Sequence, residues 1–385
     1  MTGLPPQAGA SWRDVMAAVG ELPRLLSDAP DAEAAEGVRY LLRFVAAGIR
    51  ICVEADDTDA PMLTRSIEHR MSWGLDNPDT TYLYSRLAPT GTYRLSGSRG
   101  SARHLEIQVN SGHQGDGDFA GWEATWWRTG DDLGSTVDVE IPPTEGGSFL
   151  LIRQYFSDWW SEEPAVLDLQ RVDVGLPPPP LDPTTLEQRL GLLAQWLRGG
   201  ASCWDELSRG LIGGVAPDAT EWTVQPFLPP DSASGLKGQA YGMGGWRCAS
   251  DEALVLTVAP PAARYWGVSL CDRYWQSIDF GQRQSSLNDS QAVADDDLDS
   301  RFTMVVAHDD PGVANWLDPG GRSAGSLAVR YLMPRSETLP AVHVRRMALD
   351  ELDGALPPGL ARVDPAERQG ALRRRQQAIS RRLRW

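Results

Sequence analysis

Apolar side chains in the first 55 residues recur at intervals of three and four, which is the period of an amphipathic helix. Trp12, Val15 and Val19 follow this spacing, and it returns over Ala35–Ile49 after a polar turn. We therefore expect an N-terminal helical hairpin. A short third helix is expected over Ala60–Met71.

From Asp76 onward the apolar positions form short, often alternating segments separated by Gly-rich turns, which is typical of antiparallel strands. The strands predicted in a first block are Thr80–Leu87, Thr92–Leu95, His104–Val109, Ala124–Arg128, Ser148–Gln154 and Ala165–Val172. Those of a second block, from about Trp222 to Met347, are Leu254–Val258, Tyr265–Cys271, Gln276–Phe280, Phe302–Ala307, Ser326–Tyr331 and Ala341–Arg346.

A Pro-rich segment and a helical pattern separate the two blocks. Pro177–Pro180 is followed by Asp182 and Thr184, either of which suits the N-cap of a helix, and we expect this helix to break near Gly199. The tail again has a helical pattern. The predicted domains are a helical region (1–72), a first β-sandwich (73–176), a linker helix (177–215), a second β-sandwich (216–350) and a basic C-terminal helix (351–385).

The two strand blocks end alike, which indicates an internal repeat. Each has a strand that carries an arginine and then an aromatic residue, with Arg153 in the first block and Arg330 in the second. In each, the last strand opens with Pro-Ala-Val, at Pro164 and at Pro340. We therefore predict a mainly β fold of two jelly-roll-like antiparallel β-sandwich units, joined by a helical linker.

Composition narrows the class of protein. The chain has 385 residues, of which 42 % are apolar, so it can bury more than one core. No apolar stretch reaches the ~18 residues of a membrane span, and the first residues do not resemble a secretory signal. We expect no membrane partner and a cytoplasmic location. The four cysteines are widely separated and fit reduced, mostly buried thiols.

The net charge of −16 is unevenly distributed. Arg362–Trp385 holds eight arginines against two acidic residues, so the rest of the chain carries −22. A body this acidic repels nucleic acid, and we expect no nucleic-acid partner. For the basic tail we favour docking on the acidic surface of this chain or of a second subunit over a nucleic-acid arm.

Motifs for cofactors and metals are missing from the sequence. It has no phosphate-binding loop, no nucleophile elbow and no zinc motif. His104, Glu106 and Gln108 share one strand face, but a single strand supplies too few ligands for a metal. The acidic loops 115–118 and 295–297 lack the spaced ligands of a calcium loop. We expect neither a metal nor an organic cofactor.

Two segments resemble known families. Asp76-Asn77-Pro78-Asp79-Thr80-Thr81-Tyr82 resembles the Asn-x-Asp-Thr-x-Tyr segment of the domain of unknown function 1254. The second block resembles the domain of unknown function 1214 through its segments 264–269, 274–280, 310–317 and 330–334. The resemblance spans about 75–350. It implies tandem jelly-roll-like sandwiches with helical additions, and the activity of these families is largely undefined.

Two polar-aromatic clusters are the candidate sites, at Trp73–Tyr84 and at Trp266–Asp279. Their carboxylates fit general bases or ligand acceptors, but also Asx-turns. The candidate catalytic residues are Asp79, Tyr82, Asp272 and Tyr274. The candidate ligand-binding residues are Trp73, Asn77, Tyr84, Trp126, Arg153, Trp266, Asp279, Asn315, Trp316 and Arg330.

Arg153 and Arg330 occupy matching positions of the repeat and have two interpretations. They could hold a carboxylate of a ligand, or they could pair with a buried aspartate such as Asp79 or Asp158, which we favour. Trp316 could line a pocket mouth, although a role in closing the end of the sandwich is favoured.

The 15 tryptophans decide the functional hypothesis, because so many large rings form either aromatic cores or ligand platforms. Five of them lie between Trp122 and Trp160. We expect the protein to bind a small, largely apolar molecule (lipid, sterol, terpenoid or polyketide-like) in an aromatic pocket. Acid–base chemistry on that molecule stays open. The alternatives are a carbohydrate-binding or glycoside-cleaving protein and a structural protein that assembles as a homo-oligomer.

Overall fold

The computed structural model describes residues 6–27, 30, 33–114, 123–142, 148–229, 235–295 and 301–384. The helices are α1 (Pro6–Glu21), α2 (Ala34–Ile49), α3 (Pro183–Gln195), α4 (Ala201–Gly213), α5 (Leu352–Ala355) and α6 (Pro365–Arg382). The strands of the first block are β1 (Thr64–Arg65), β2 (Thr80–Leu87), β3 (Tyr93–Ser98), β4 (His104–Ser111), β5 (Ala124–Thr129), β6 (Thr136–Ile141), β7 (Ser148–Tyr155) and β8 (Val166–Arg171). Those of the second block are β9 (Glu221–Val224), β10 (Gln239–Arg247), β11 (Glu252–Val258), β12 (Tyr265–Cys271), β13 (Ser286–Asn288), β14 (Phe302–Ala307), β15 (Trp316–Leu317), β16 (Ala324–Leu332) and β17 (Val342–Ala348).

The described strands form four sheets, two in each unit, which confirms the predicted mainly β fold of sandwich units. In the first unit a sheet of order β1-β2-β7-β4-β5 packs on one of order β6-β3-β8. In the second unit a sheet of order β10-β16-β12-β13 packs on one of order β15-β14-β11-β17-β9. Because side chains alternate along a strand, Leu150 and Ile152 of β7 lie in the core between the two sheets of the first unit. Their neighbours Phe149 and Leu151 lie on the opposite face of the sheet, under the helices.

The sheet orders also agree with the internal repeat. Each unit has a set of seven strands, with β1, β9 and β15 added at sheet edges. If β2–β8 are lettered a to g, their order in the two sheets is a-f-c-d and e-b-g. If β10–β14, β16 and β17 are lettered a to g, the second unit has the same two orders. Arg153 on β7 and Arg330 on β16 therefore lie on equivalent central strands.

The first three helices pack against the outer face of the first unit. α1, α2 and α3 share an apolar cluster with Tyr84 and Phe149 of its sheet. The Asp182 carboxylate caps α3 by accepting from the backbone N–H groups of Thr184 and Thr185. The predicted break near Gly199 is wrong, because a π-helical turn over Trp196–Gly200 carries the helix from α3 into α4.

Two further predicted elements are wrong. Ala60–Met71 is not a helix, because Thr64 and Arg65 pair with β2 as an edge strand. Gln276–Phe280 is not a strand, because the chain turns sharply before it. The Asp272 carboxylate accepts from the backbone N–H of Tyr274 at 2.9 Å, and Trp275 adopts a φ of 60°.

Strand β10 escaped prediction because glycines interrupt its apolar pattern. One of them, Gly245, is required by packing, since a Cβ at this position would collide with the Leu211 carbonyl of α4. α4 can therefore lie directly on this end of β10.

Helix α6 lies across both units, which confirms that the basic tail docks on the chain's own surface. Asp364 and Glu367 form a capping box at its start. Arg368 pairs with Asp310 of the second unit at 2.8 Å, and Arg381 pairs with Glu163 of the first. Among the described helices, none is long and apolar enough to cross a membrane.

Candidate ligand cavity at the junction of the two units

A cavity of about 480 Å³ lies where the two units and the α3–α4 helix meet. Its walls combine aromatic, aliphatic and polar side chains from all three parts. The lining residues are Ile67, Trp73, Gly74, Leu75, Tyr82, Gln114, Leu151, Arg153, Tyr155, Trp204, Phe227, Pro229, Gly235, Gln239, Tyr241, Met243, Trp275 and Arg330. A groove of about 540 Å³ on the outer face of the second unit is lined largely by polar and charged side chains.

Strand register brings equivalent residues of the two units to this cavity. On β7, Arg153 lies opposite Tyr82 of β2. On β16, Arg330 lies opposite Tyr241 of β10. Residues opposite one another in a ladder point to the same face, so each unit contributes an Arg–Tyr pair to the walls.

Tyr155 joins the units beside the cavity. Its hydroxyl donates to Oε1 of Gln239 at 2.6 Å, and its ring meets that of Tyr265 edge-on with centroids 5.1 Å apart. Both tyrosines are fully buried, and burial raises the pKa of each well above the ordinary value. These side chains are therefore neutral packing and hydrogen-bonding groups at the junction.

Arg153 has a carboxylate partner within its own unit. Its guanidinium pairs with Oε1 of Glu106 at 3.1 Å and also donates to Gln108. The backbone N–H of Lys237 donates to the other oxygen of Glu106 at 3.0 Å. Burial raises the pKa of Glu106 to about 7, although Arg153 acts in the opposite direction. The predicted pairing of Arg153 with Asp79 or Asp158 is wrong.

This network also accounts for the strand face that we weighed as a metal site. Glu106 and Gln108 are engaged by Arg153, and Nδ1 of His104 lies 3.2 Å from the Arg264 guanidinium. Burial lowers the pKa of His104 to about 4. Within the described ranges, no cluster of side chains suits a metal ion.

Arg330 is 4 % exposed, and its hydrogen-bond acceptors among the described residues are all neutral. Its guanidinium donates to Oγ of Ser269 at 3.1 Å and to the carbonyl of Leu75 at 2.6 Å, with a longer contact of 3.5 Å to the carbonyl of Asp76. The pairing with Asp79 or Asp158 is wrong for this residue as well.

Three tryptophans form one wall. Trp204 lies between Trp73 and Trp275, with ring centroids 6.3 Å and 5.1 Å away. The indole N–H of Trp73 is satisfied by the Ser66 carbonyl at 2.9 Å. Nε1 of Trp275 and Oε1 of Gln114 are buried and have no partner among the described residues. Most buried polar side-chain atoms in folded proteins have a hydrogen-bond partner, so these two are available to a polar group of a bound molecule.

The backbone beside this wall is strained. Leu75 and Trp275 have φ values of 55° and 60°, which residues with a side chain seldom adopt. The Leu75 N–H donates to the Trp275 carbonyl at 2.7 Å, so the two segments hold each other. Strain of this kind concentrates at functional sites.

Four of the predicted site residues line the cavity: Trp73, Tyr82, Arg153 and Arg330. Asn77 instead forms an Asx-turn, with Oδ1 accepting from the Asp79 N–H at 3.1 Å. Asp272 is engaged within its own turn by Tyr274 and Gln276. Burial raises the pKa of Asp272 to about 6.

The remaining predicted residues lie elsewhere. Tyr274 stacks on Tyr40 and borders a separate cavity of about 170 Å³. Asp279 pairs with Arg39 of α2 at 3.1 Å. Tyr84, Trp126, Trp266 and Trp316 contribute to or pack against apolar clusters, and Asn315 holds a turn through Val293. Trp122 and most of the acidic loops lie outside the described residues.

Several lining residues were missed because they come together only in three dimensions. Tyr155, Trp204, Phe227 and Trp275 belong to four different elements or turns. Tyr241 could have been found from the repeat, because it is the counterpart of Tyr82, but β10 itself was not predicted.

No family model and no curated protein matches this chain. Its fold is similar to that of an uncharacterized protein from Burkholderia cenocepacia, with a TM-score of 0.79 and 26 % sequence identity. That similarity covers 90 % of this chain and 98 % of the other. A protein from Vibrio parahaemolyticus, 12 % identical, aligns over 87 % of this chain and 100 % of its own with a TM-score of 0.46. Neither neighbour is described by a function, so the comparisons concern the fold.

Proposed function

We propose that this protein binds a small, largely apolar molecule in the junction cavity. The observation that carries the proposal is a cavity with an aromatic wall whose lining also includes two buried polar atoms without a partner among the described residues, Nε1 of Trp275 and Oε1 of Gln114. Aromatic surfaces with a few convergent polar groups are typical of small-molecule sites. The volume of about 480 Å³ also lies in their usual range of roughly 300–1,000 Å³.

The proposal is one of binding, because the predicted general bases do not support catalysis at this cavity. Asp79 and Asp272 do not line it, and hydrogen bonds occupy both carboxylate oxygens of each. Tyr82 does line it, and burial raises the pKa of its hydroxyl to about 12. Tyr82 is thus protonated at neutral pH, and any acid–base chemistry at this cavity would rest on its hydroxyl.

No separate observation favours the alternatives. The carbohydrate hypothesis depends on a tryptophan platform. Trp126 packs against the first core and Trp159 against α6, whereas Trp127 and Trp160 are exposed on separate parts of the first unit, and the hypothesis stays a prediction. The assembly hypothesis and the resemblance to the domains of unknown function 1254 and 1214 stay predictions.

The test uses the neutral fluorescent probe N-phenyl-1-naphthylamine with the full chain. Phe227 lines the cavity and is 48 % exposed, whereas its neighbour Leu228 is 46 % exposed and does not line it. We expect saturable fluorescence enhancement with the wild type and with Leu228→Ala, and several-fold weaker binding by Phe227→Ala. Absence of binding, or equal binding by the two variants, would contradict the proposal.

A further inference from the structure

We propose that the ligand of the junction cavity carries a single carboxylate and that Arg330 receives it. This inference rests on the proposed function, because it names the chemical class of the molecule bound there. It depends on how the charge of Arg330 is compensated.

Arg330 brings a buried positive charge to the cavity wall. The guanidinium remains charged in proteins and has five N–H donors in a planar fork. The structure gives it three hydrogen bonds, all to neutral oxygens of Ser269, Leu75 and Asp76. Burial of a charge without an ionic partner is costly. The N–H donors that these bonds leave, on Nε and Nη1, can give a carboxylate a charge-assisted hydrogen bond.

The repeat shows what Arg330 lacks. Its counterpart Arg153 lies opposite Glu106 in the ladder between β7 and β4, and the two side chains form an ion pair. In the equivalent ladder between β16 and β12, the residue opposite Arg330 is Gly267. A side chain at Gly267 would collide with the Tyr265 hydroxyl, so the second unit has no room for a matching glutamate.

The carboxylates near Arg330 have other hydrogen-bond donors. Asp79 lies beside Gly267 and accepts from the Tyr265 hydroxyl at 2.6 Å. Tyr82, Tyr155 and Tyr265 face Arg330 as neutral phenols. Asp76 acts on it through space, but the Asp76 carboxylate accepts from the Ser72 hydroxyl at 2.5 Å and from the Ser277 N–H at 2.7 Å. Arg153 has the Glu106 carboxylate at 3.1 Å, whereas the described residues place no carboxylate within hydrogen-bond distance of Arg330. When Glu106 is ionised, the cavity wall therefore suits a monoanion better than a phosphate dianion.

A second donor lies close along the chain. Leu75 accepts from Arg330 through its carbonyl and donates to the Trp275 carbonyl through its N–H, so it links Arg330 to Trp275. The Trp275 indole N–H is a buried donor without a partner among the described residues. The ligand class is therefore a monocarboxylic acid whose apolar body lies against Trp73, Trp204 and Phe227.

The test compares acids with alcohols of the same skeleton by isothermal titration calorimetry on the full chain at about pH 8.5, where the Glu106 carboxylate beside Arg153 is ionised. The pairs are 2-naphthoate with 2-naphthalenemethanol, and decanoate with 1-decanol. We expect each acid to bind the wild type about tenfold or more tightly than its alcohol, as a charge-assisted contact would give.

Two variants locate the effect. Arg330→Gln should abolish the preference for the acid and leave the affinity for the alcohol within about threefold, because it removes the positive charge and keeps an amide that can donate to the neighbouring carbonyls. Arg283→Gln removes a cation that pairs with Asp318 away from the cavity and should leave the preference intact. Circular dichroism checks that both variants fold, and if Arg330→Gln does not, the wild-type ratio decides alone.

The outcomes separate the two proposals. Equal affinities for acid and alcohol in the wild type, or a preference that survives in folded Arg330→Gln, overturn the carboxylate inference while the binding function stands. If neither member of either pair binds, the binding function is overturned and this inference with it.

Discussion

The Asp79 carboxylate of the first unit accepts a 2.6 Å hydrogen bond from the Tyr265 hydroxyl of the second. It also accepts from the indole N–H of Trp159 at 2.6 Å and from the Asn288 amide at 2.7 Å. This buried carboxylate accepts hydrogen bonds from three donors that belong to both units, so Asp79 holds the two units together.

We expect Asp79→Asn to lower the free energy of unfolding by roughly 2–4 kcal/mol, because the amide loses the charge and turns one donor toward another donor. Tyr265→Phe removes one of the three donors and should cost about 1–2 kcal/mol. Guanidinium unfolding followed by tryptophan fluorescence measures both. An Asp79→Asn variant as stable as the wild type would contradict this structural role.

Glu106 should make the protein less stable as the pH rises. Its pKa is raised from 4.5 to about 7, chiefly by burial, so the folded state binds this proton more tightly than the unfolded state. The contribution is complete below about pH 4.5 and is lost as the pH rises through about 7. Its size is on the order of 3 kcal/mol.

Glu106→Gln should remove this slope, as measured by urea unfolding at a series of pH values. Asp272→Asn is the matched control. The pKa of Asp272 is raised only to about 6, so this variant should still lose stability as the pH rises from about 6 to about 7. Identical pH profiles for wild type and Glu106→Gln would show that Glu106 does not titrate in this range.

His69 should make the protein less stable as the pH falls. Burial lowers its pKa from 6.5 to about 4, and the arginines of α2 act in the same direction while Asp279 opposes them. The folded state therefore binds this proton less tightly, and stability is lost as the pH falls from about 6.5 through about 4. His69→Phe keeps a ring against Phe280 and should reduce the loss of stability between these pH values. If His69→Phe lost as much stability as the wild type between these pH values, His69 would not be the group responsible.

Gly245→Ala should destabilise the protein by about 1–3 kcal/mol, because the new methyl group meets the backbone of α4. Gly191→Ala, inside α3 with open space around it, should stabilise by about 0.5–1 kcal/mol. Thermal unfolding of the two variants compares them directly. If Gly245→Ala raised the Tm as much as Gly191→Ala, α4 would be able to move away from the new methyl group without loss of stability.

Local patterns in the sequence determined most of the secondary structure. β2 begins and ends at the predicted residues, Thr80 and Leu87, because its alternation and its flanking turns are local signals. The repeat was also readable from the sequence, because both units keep the same order of strands around Arg153 and Arg330. Elements whose signal depends on partners were missed or misassigned, such as the Gly-rich β10 and the turn at Trp275.

The cavity was decided by the tertiary structure. The sequence alone indicated Trp73, Tyr82, Arg153 and Arg330 as site residues, but it could not show that these four meet, nor that Trp204 and Trp275 join them. Arg153 and Arg330 look equivalent along the chain, and only the strand pairing gives the first a glutamate and the second a glycine. The physical reason is that the charge balance of a buried arginine depends on what lies across the ladder, and these residues are more than 40 positions away in the chain.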